Sequence, residues 1–135
     1  MTGHRPRRPA PAAGPAVLIA AVSAAAQAGP AIAAGADMID ATGLSDQAVA
    51  AIRARDPAAR VWAGSPAAVD ADGSGVTTGG PAPPVAAAVA RAAVLTWLGT
   101  PAIRTRHVRP VRRAIDMTSS IAGTRLPSLT TRGLG

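Results

Sequence analysis

The sequence predicts an α/β fold in which short parallel strands alternate with alanine-rich helices. Three observations carry that expectation. Val17 to Val22 is an unbroken apolar run, as expected for a strand buried on both faces of a parallel sheet. Apolar residues recur at helical spacing in residues 45–55 and 85–98, each stretch bounded by Ser, Pro or Gly. Further strand-length segments fall between those helices, which is the rhythm of a βα repeat.

Each element can be justified in order. Residues 1–15 are Arg, Pro and Ala and read as a disordered arm. The first strand follows at Val17 to Val22. Ala24 to Ala34 reads as a short helix with Gly29-Pro30 disturbing its middle and Gly35 ending it. Ala36 to Ala41 (ADMIDA) reads as a second strand. Ser45 is a good N-cap for a helix running to Arg55, with Val49 and Ile52 on one face and Pro57 stopping it. Arg60 to Ala63 is a third strand, completing a segment over residues 16–63. Residues 64–84 hold five Gly and four Pro and read as a flexible linker. Gly73-Ser74-Gly75 within it lacks the leading strand and following Lys of a phosphate loop.

Order resumes in an αβα segment over residues 85–123. Pro84 suits the start of a helix and Gly99 its end, with Val85, Val89, Ala92 and Leu95 at helical spacing. Ala102 to Val108 reads as an Arg-rich fourth strand. Pro110 opens the last helix, with Val111, Ala114, Ile115, Thr118 and Ile121 toward the core and Gly123 at its end. Arg112 and Arg113 precede Asp116 by four and three residues, so an ion pair within the helix is available. Residues 124–135 read as a flexible tail.

Composition limits both the core and the chemistry. The 135 residues include 35 Ala but only 11 Val, 7 Ile and 7 Leu, with no Phe or Tyr. Burial of methyl groups gains little area, so the core is thin. Trp62 and Trp97 are the two large side chains expected to anchor it. All 14 basic residues are Arg and all 7 acids are Asp; Lys, Glu, Asn and Cys are absent. Thiol chemistry, disulfides, Schiff bases and Lys-dependent phosphate loops are thereby excluded. Two His, His4 and His107, exclude a multi-histidine metal site, and neither a metal nor a cofactor is expected. The net charge of +7 is concentrated at the ends: residues 1–8 carry +3 and residues 104–132 carry +6, while the centre carries −2. Such a balance attracts anions, but no aromatic sits among the arginines, so base stacking on nucleic acid is not expected.

Residues 1–28 have two readings. Arg5, Arg7 and Arg8 followed by Ala16 to Ala26 resemble a secretory signal. Pro9, Pro11 and Pro15 interrupt that pattern, and Val17 to Val22 is needed as a strand, which favours a cytoplasmic protein keeping its N-terminus. No stretch is long and apolar enough to span a membrane.

Two blocks of the chain resemble the dihydropteroate synthase family, the pterin-binding (β/α)₈ barrel of folate biosynthesis. Gly35-Ala36-Asp37-Met38-Ile39-Asp40 is similar to the family's second strand, GAD-I-ID, and Val17 to Ser23 sits where its first strand lies. Ala102-Ile103-Arg104-Thr105-Arg106-His107-Val108 resembles its last strand, I-I-R-V-H-D-V, and Val111 to Ile121 its closing helix. A full barrel needs about 250 residues. The resemblance therefore implies a partial (half) TIM-barrel-like fold, with residues 64–84 standing where the middle of the barrel is missing. A homodimer closing the half barrel is the expected assembly, because each open sheet edge needs a partner.

The departures bear on activity. Ala21 stands where the family has the metal-holding Asn, and the central Asp and Asn that grip the pterin, and the Lys of the family's SRK segment, have no counterpart. At the last strand the family's His and Asp align with Arg106 and His107, so only Asp40 and Arg104 carry over. Displacing pyrophosphate needs the leaving charge neutralised by metal and cations, and Arg104 with Arg106 offers only the cations. The resemblance thus implies a dihydropteroate synthase-like pseudoenzyme that keeps a pterin or phosphate-like anion site. Its candidate ligand residues are Asp40, Arg104 and Arg106.

Each has a plainer reading. Asp40 at the end of a strand either binds a ligand or caps the next turn. Arg104 and Arg106 line either an anion site or a solvated, Asp-paired face. His107 is either a structural residue or an acid–base group. The alternative function is a non-enzymatic interaction protein whose basic C-terminal face binds an acidic partner or nucleic acid, with salt dependence separating the two.

Overall fold

The computed structural model describes residues 14–63, 68–73 and 84–125. Most of the N-terminal arm, most of the linker and nearly all of the C-terminal tail lie outside them. The elements run β1 (Val17–Ala21), a 3-10 turn (Ala25–Gln27), α1 (Ala28–Ala33), β2 (Met38–Asp40), α2 (Asp46–Arg55), β3 (Val61–Trp62), β4 (Val69–Asp70), α3 (Val85–Trp97), β5 (Ala102–Thr105) and α4 (Val108–Ala122). The five strands form one all-parallel sheet in the order β3-β2-β1-β5-β4. The fold is α/β, as the alternation predicts.

The strand order gives the sheet its character. β1, β2 and β3 step outward in one direction, and β4 to β5 steps the same way toward β1. Read as β4-β5-β1-β2-β3, each helix-linked step has one sense, the β3–β4 connection alone returns from one edge to the other, and the last strand of the chain lies beside the first. That is the winding of a partial βα barrel, not of a doubly wound sheet, whose order reverses at a switch point. Right-handed crossovers then place α1, α2 and α3 on one face.

The core lies between that face and the sheet. Leu18, Ala20 and Val22 point into it from β1 and the residue after it, together with Ile39 and Ile103 from the neighbouring strands. The helices answer with Ala28, Ala31, Ala88, Ala92, Val108, Val111 and Ile115. Seven of the fifteen buried residues in this cluster are Ala, so helices and sheet meet through methyl groups.

Local chemistry accounts for the helix ends. Ser45 Oγ accepts the Ala48 N–H at 3.2 Å, and Asp46 in the first turn with Arg53 and Arg55 in the last complements the helix dipole. Gly123 adopts the left-handed conformation that ends α4.

Several expectations are corrected. Residues 64–84 are not linker throughout, because Val69–Asp70 forms the edge strand β4. Pro30 does not disturb the middle of a helix; it sits in the first turn of α1, where its missing N–H costs nothing. Pro110 likewise lies in the first turn of α4, which starts at Val108. β5 therefore ends at Thr105, leaving Arg106 and His107 in the connection. Ile121 is 65% exposed, because the buried line of α4 runs Val108, Val111, Ile115, Ser119. Trp62 and Trp97 are not core anchors, being 43% and 49% exposed. One lies on a two-residue edge strand and the other on the outer side of α3.

A polar clasp joins the ends of the chain. Asp37 Oδ2 accepts the Leu18 N–H at 2.8 Å and also an Arg112 Nη2 hydrogen bond, while Arg112 Nε donates to the Gly35 carbonyl at 2.9 Å. Gly35 has φ of +106°, and a Cβ there would meet Arg112 Cγ at 3.0 Å. Arg112→Ala is expected to lower unfolding free energy by about 2 kcal/mol, the scale of a hydrogen bond to a charged group. Urea unfolding checks this, and an unchanged midpoint would refute the clasp.

Candidate functional site

Side chains alternate along a strand, so the register sorts the two faces of the sheet. Ile19 pairs with Arg104, Asp70 with Arg104, Ala21 with Asp40, and Asp40 with Trp62. These residues share the face opposite the core. Because all strands run one way, their C-terminal ends form one edge, where ligands bind in parallel α/β folds.

Arg104 organises this edge. Its Nη1 donates to Asp40 Oδ2 at 2.7 Å, across the intervening β1. On β1 the same face carries Ile19, the register partner of Arg104, and Ala21, the register partner of Asp40. Asp40 is 3% exposed, and its other oxygen accepts the Thr42 N–H at 2.9 Å. The capping reading of Asp40 holds, because it closes the following turn, while its second oxygen is taken by Arg104. On the other side, Arg104 Nε lies 3.2 Å from Asp70 Oδ1 without the alignment of a hydrogen bond. Burial raises the Asp70 pKa above its ordinary value of 3.8; nearby Asp72 and Asp40 push the same way and Arg104 opposes them.

Asp72 shapes the connection after β5. It is buried, its Oδ1 accepting the Thr105 hydroxyl at 2.6 Å and its Oδ2 the Arg106 N–H at 2.8 Å. Thr105 Oγ1 in turn accepts the His107 N–H at 3.0 Å. The backbone of Arg106 and His107 is thereby fixed at the C-terminal edge, with His107 at the N-cap of α4.

Of the candidate residues, Asp40 and Arg104 come together in direct contact, while Arg106 lies just past the strand end. Asp70 and Asp72 were not anticipated. Their signal is the alternation Ala68-Val69-Asp70-Ala71-Asp72 before Gly73, in which Val69-Asp70-Ala71 is similar to Ile39-Asp40-Ala41. Among the described residues no cluster of His or Asp is placed to hold a metal ion, and no helix is long and apolar enough to cross a membrane.

Two measurements probe this geometry. Asp40→Asn removes the fully buried partner of Arg104 and is expected to cost about 3 kcal/mol, at the low end for a broken buried pair because Arg104 is partly solvated. Urea unfolding against wild type measures it. The raised Asp70 pKa has a definite sign. The folded protein holds that proton more tightly than the unfolded chain, so the stabilisation is full below 3.8 and is lost as pH rises through the folded value. Asp70→Asn cannot ionise, and should therefore gain on wild type between about pH 3 and about pH 7. A difference independent of pH would contradict the burial of Asp70.

Comparison of the chain with protein-family models, with curated proteins and with solved structures finds no match.

Proposed function

We propose that the chain is a dihydropteroate synthase-like, pterin-binding pseudoenzyme of half-barrel size, holding a ligand at the C-terminal edge of its sheet without catalysing transfer. One observation supports this reading above others. Asp40 and Arg104, the two residues that carry over from the two family-like blocks, are 64 positions apart and form a 2.7 Å ion pair. The single-sense winding, with β5 beside β1, agrees with blocks resembling the last and first strands of a barrel.

The charges favour the ligand's chemical class. Asp40, Asp70, Asp72, Arg104 and Arg106 sum to a formal −1 at this edge. Arg104 already serves two carboxylates, so a bare phosphate competes with both. A flat heterocycle presenting paired N–H donors, as a pterin does, meets a carboxylate instead, and Asp70 is the more exposed of the two beside Arg104. Trp62, half-exposed on the same face, adds an aromatic surface.

The same geometry argues against turnover. A divalent metal does not fit these residues: Asp40 has both oxygens committed, to Arg104 and the Thr42 N–H, and Ala21 offers no donor beside it. The basic-surface alternative weakens for a related reason. Of the arginines between 104 and 132, Arg104, Arg112 and Arg125 are in ion pairs with Asp.

The test is thermal denaturation with a dihydropterin, with pyrophosphate and with neither. The dihydropterin should raise the melting temperature by mass action, and Arg104→Ala should abolish most of the gain. Pterin pyrophosphate with p-aminobenzoate should give no dihydropteroate above background. Metal-dependent turnover, or equal loss of binding in Arg104→Ala and Arg113→Ala, would overturn the reading.

A further inference from the structure

The outer side of α4 carries one exposed stripe, Arg109, Arg113, Met117 and Ile121, each four residues after the last. The buried line of the helix runs along the other side, through Val108, Val111, Ile115 and Ser119. The first half of the stripe is cationic. The second half is apolar, with Met117 68% and Ile121 65% exposed. Among the described residues neither Arg109 nor Arg113 is paired with a carboxylate.

Helix α3 continues this surface. The two helices pack side by side. α3 ends where β5 begins and α4 starts where β5 ends, so both run from the C-terminal edge of the sheet toward its N-terminal edge. Trp97 and Leu98, exposed at the end of α3, therefore lie toward the same end as Met117 and Ile121. From 84 to 125 the sequence has a single acid, Asp116, and both Arg112 and Arg125 hold it. Helix α2 differs: it exposes Asp46 with Arg53 and Arg55, and none of its large apolar side chains. Trp62 and Val69, also exposed, stand singly on the two edge strands.

We propose that the outer face of α3 and α4 docks on an anionic lipid bilayer, lying on it without spanning it. Cations and large apolar side chains on one exposed helix stripe are the pattern of an interfacial helix. Met117 and Ile121 enter the boundary between headgroups and acyl chains. Arg109 and Arg113 reach the lipid phosphates, which accept a guanidinium bidentately. Trp97 is of the side-chain type that settles at headgroup level. The apolar half of the stripe separates this partner from a nucleic acid, whose phosphates would meet the arginines but leave Met117 and Ile121 in water. The proposal rests on α3 and α4 and is independent of the ligand at the sheet edge.

Co-sedimentation of the full chain with phosphatidylcholine vesicles, with and without phosphatidylglycerol, tests it. The chain should bind only the anionic vesicles, and salt should release it. Arg109→Gln with Arg113→Gln should weaken binding about tenfold or more. Met117→Gln with Ile121→Gln should weaken it by a similar factor, and Arg53→Gln on α2 should leave it unchanged, with circular dichroism confirming each fold. The two Trp give a second readout. In Trp62→Phe, emission from Trp97 should move to shorter wavelength when anionic vesicles are added. In Trp97→Phe, emission from Trp62 should stay where it is. Should the Met117 and Ile121 variant unfold, the Trp97 shift still decides. No binding to anionic vesicles would overturn the proposal, and poly(U) RNA bound in their place would assign the arginines to nucleic acid. Binding that survives loss of Met117 and Ile121, or that Arg53→Gln weakens equally, would overturn it too, because that is diffuse charge attraction.

Discussion

The guanidinium of Arg104 lies across the central strand between two carboxylates, and the arrangement of the sheet turns on it. Asp40 belongs to β2 and Asp70 to β4, so one side chain from β5 ties together strands from the start, middle and end of the chain. The reach is feasible because neighbouring strands lie about 4.8 Å apart; on β1 Ile19 lies level with Arg104, and only the methyl of Ala21 lies level with Asp40. A larger residue there would lift the guanidinium off Asp40. That acid, 3% exposed, would then be a buried charge without its counter-ion.

Such polar contacts matter more here than in an ordinary core. Seven of the fifteen core residues are Ala, and each of those contributes about one methyl group's worth of transfer energy, near 0.8 kcal/mol. Alanine faces let helices approach the sheet closely, but they do little to choose one register over another. The acids at strand ends supply that choice. Asp37 holds β1 and α4, Asp40 holds β5, and Asp72 holds the connection into α4. Each contact joins segments far apart in sequence, so each favours this pairing of strands over alternatives with equally bland packing.

The elements legible in the sequence are those with local signals. Val17–Ala21 is an unbroken apolar run, α2 is announced by Ser45 and stopped by Pro57, and α4 ends at Gly123. What escaped depends on tertiary context. β4 has two residues inside a Gly- and Pro-rich stretch, and only its pairing with β5 makes it a strand. The two Trp look like anchors in a chain without Phe or Tyr, yet size alone does not bury a side chain on an edge strand or an outer helix face. In the site, Asp40 and Arg104 stood out through motif likeness, whereas Asp70 and Asp72 required the fold to bring β4 beside β5.

Charge is segregated in a way composition hides. The chain carries +7 overall, but the C-terminal edge of the sheet gathers three of its seven Asp. The basic surplus sits elsewhere: Arg109 and Arg113 are exposed on α4, four residues apart and past the edge. Salt weakens the pull of such exposed charges beyond about 10 Å. The basic helix can therefore raise the local concentration of an anionic molecule without setting what the edge accepts. At the edge itself the carboxylates outnumber the guanidiniums, and burial holds Asp70 closer to protonation than a free Asp. Such an edge offers a ligand hydrogen-bond acceptors more than positive charge, and this is what the proposed donor-bearing heterocycle would exploit.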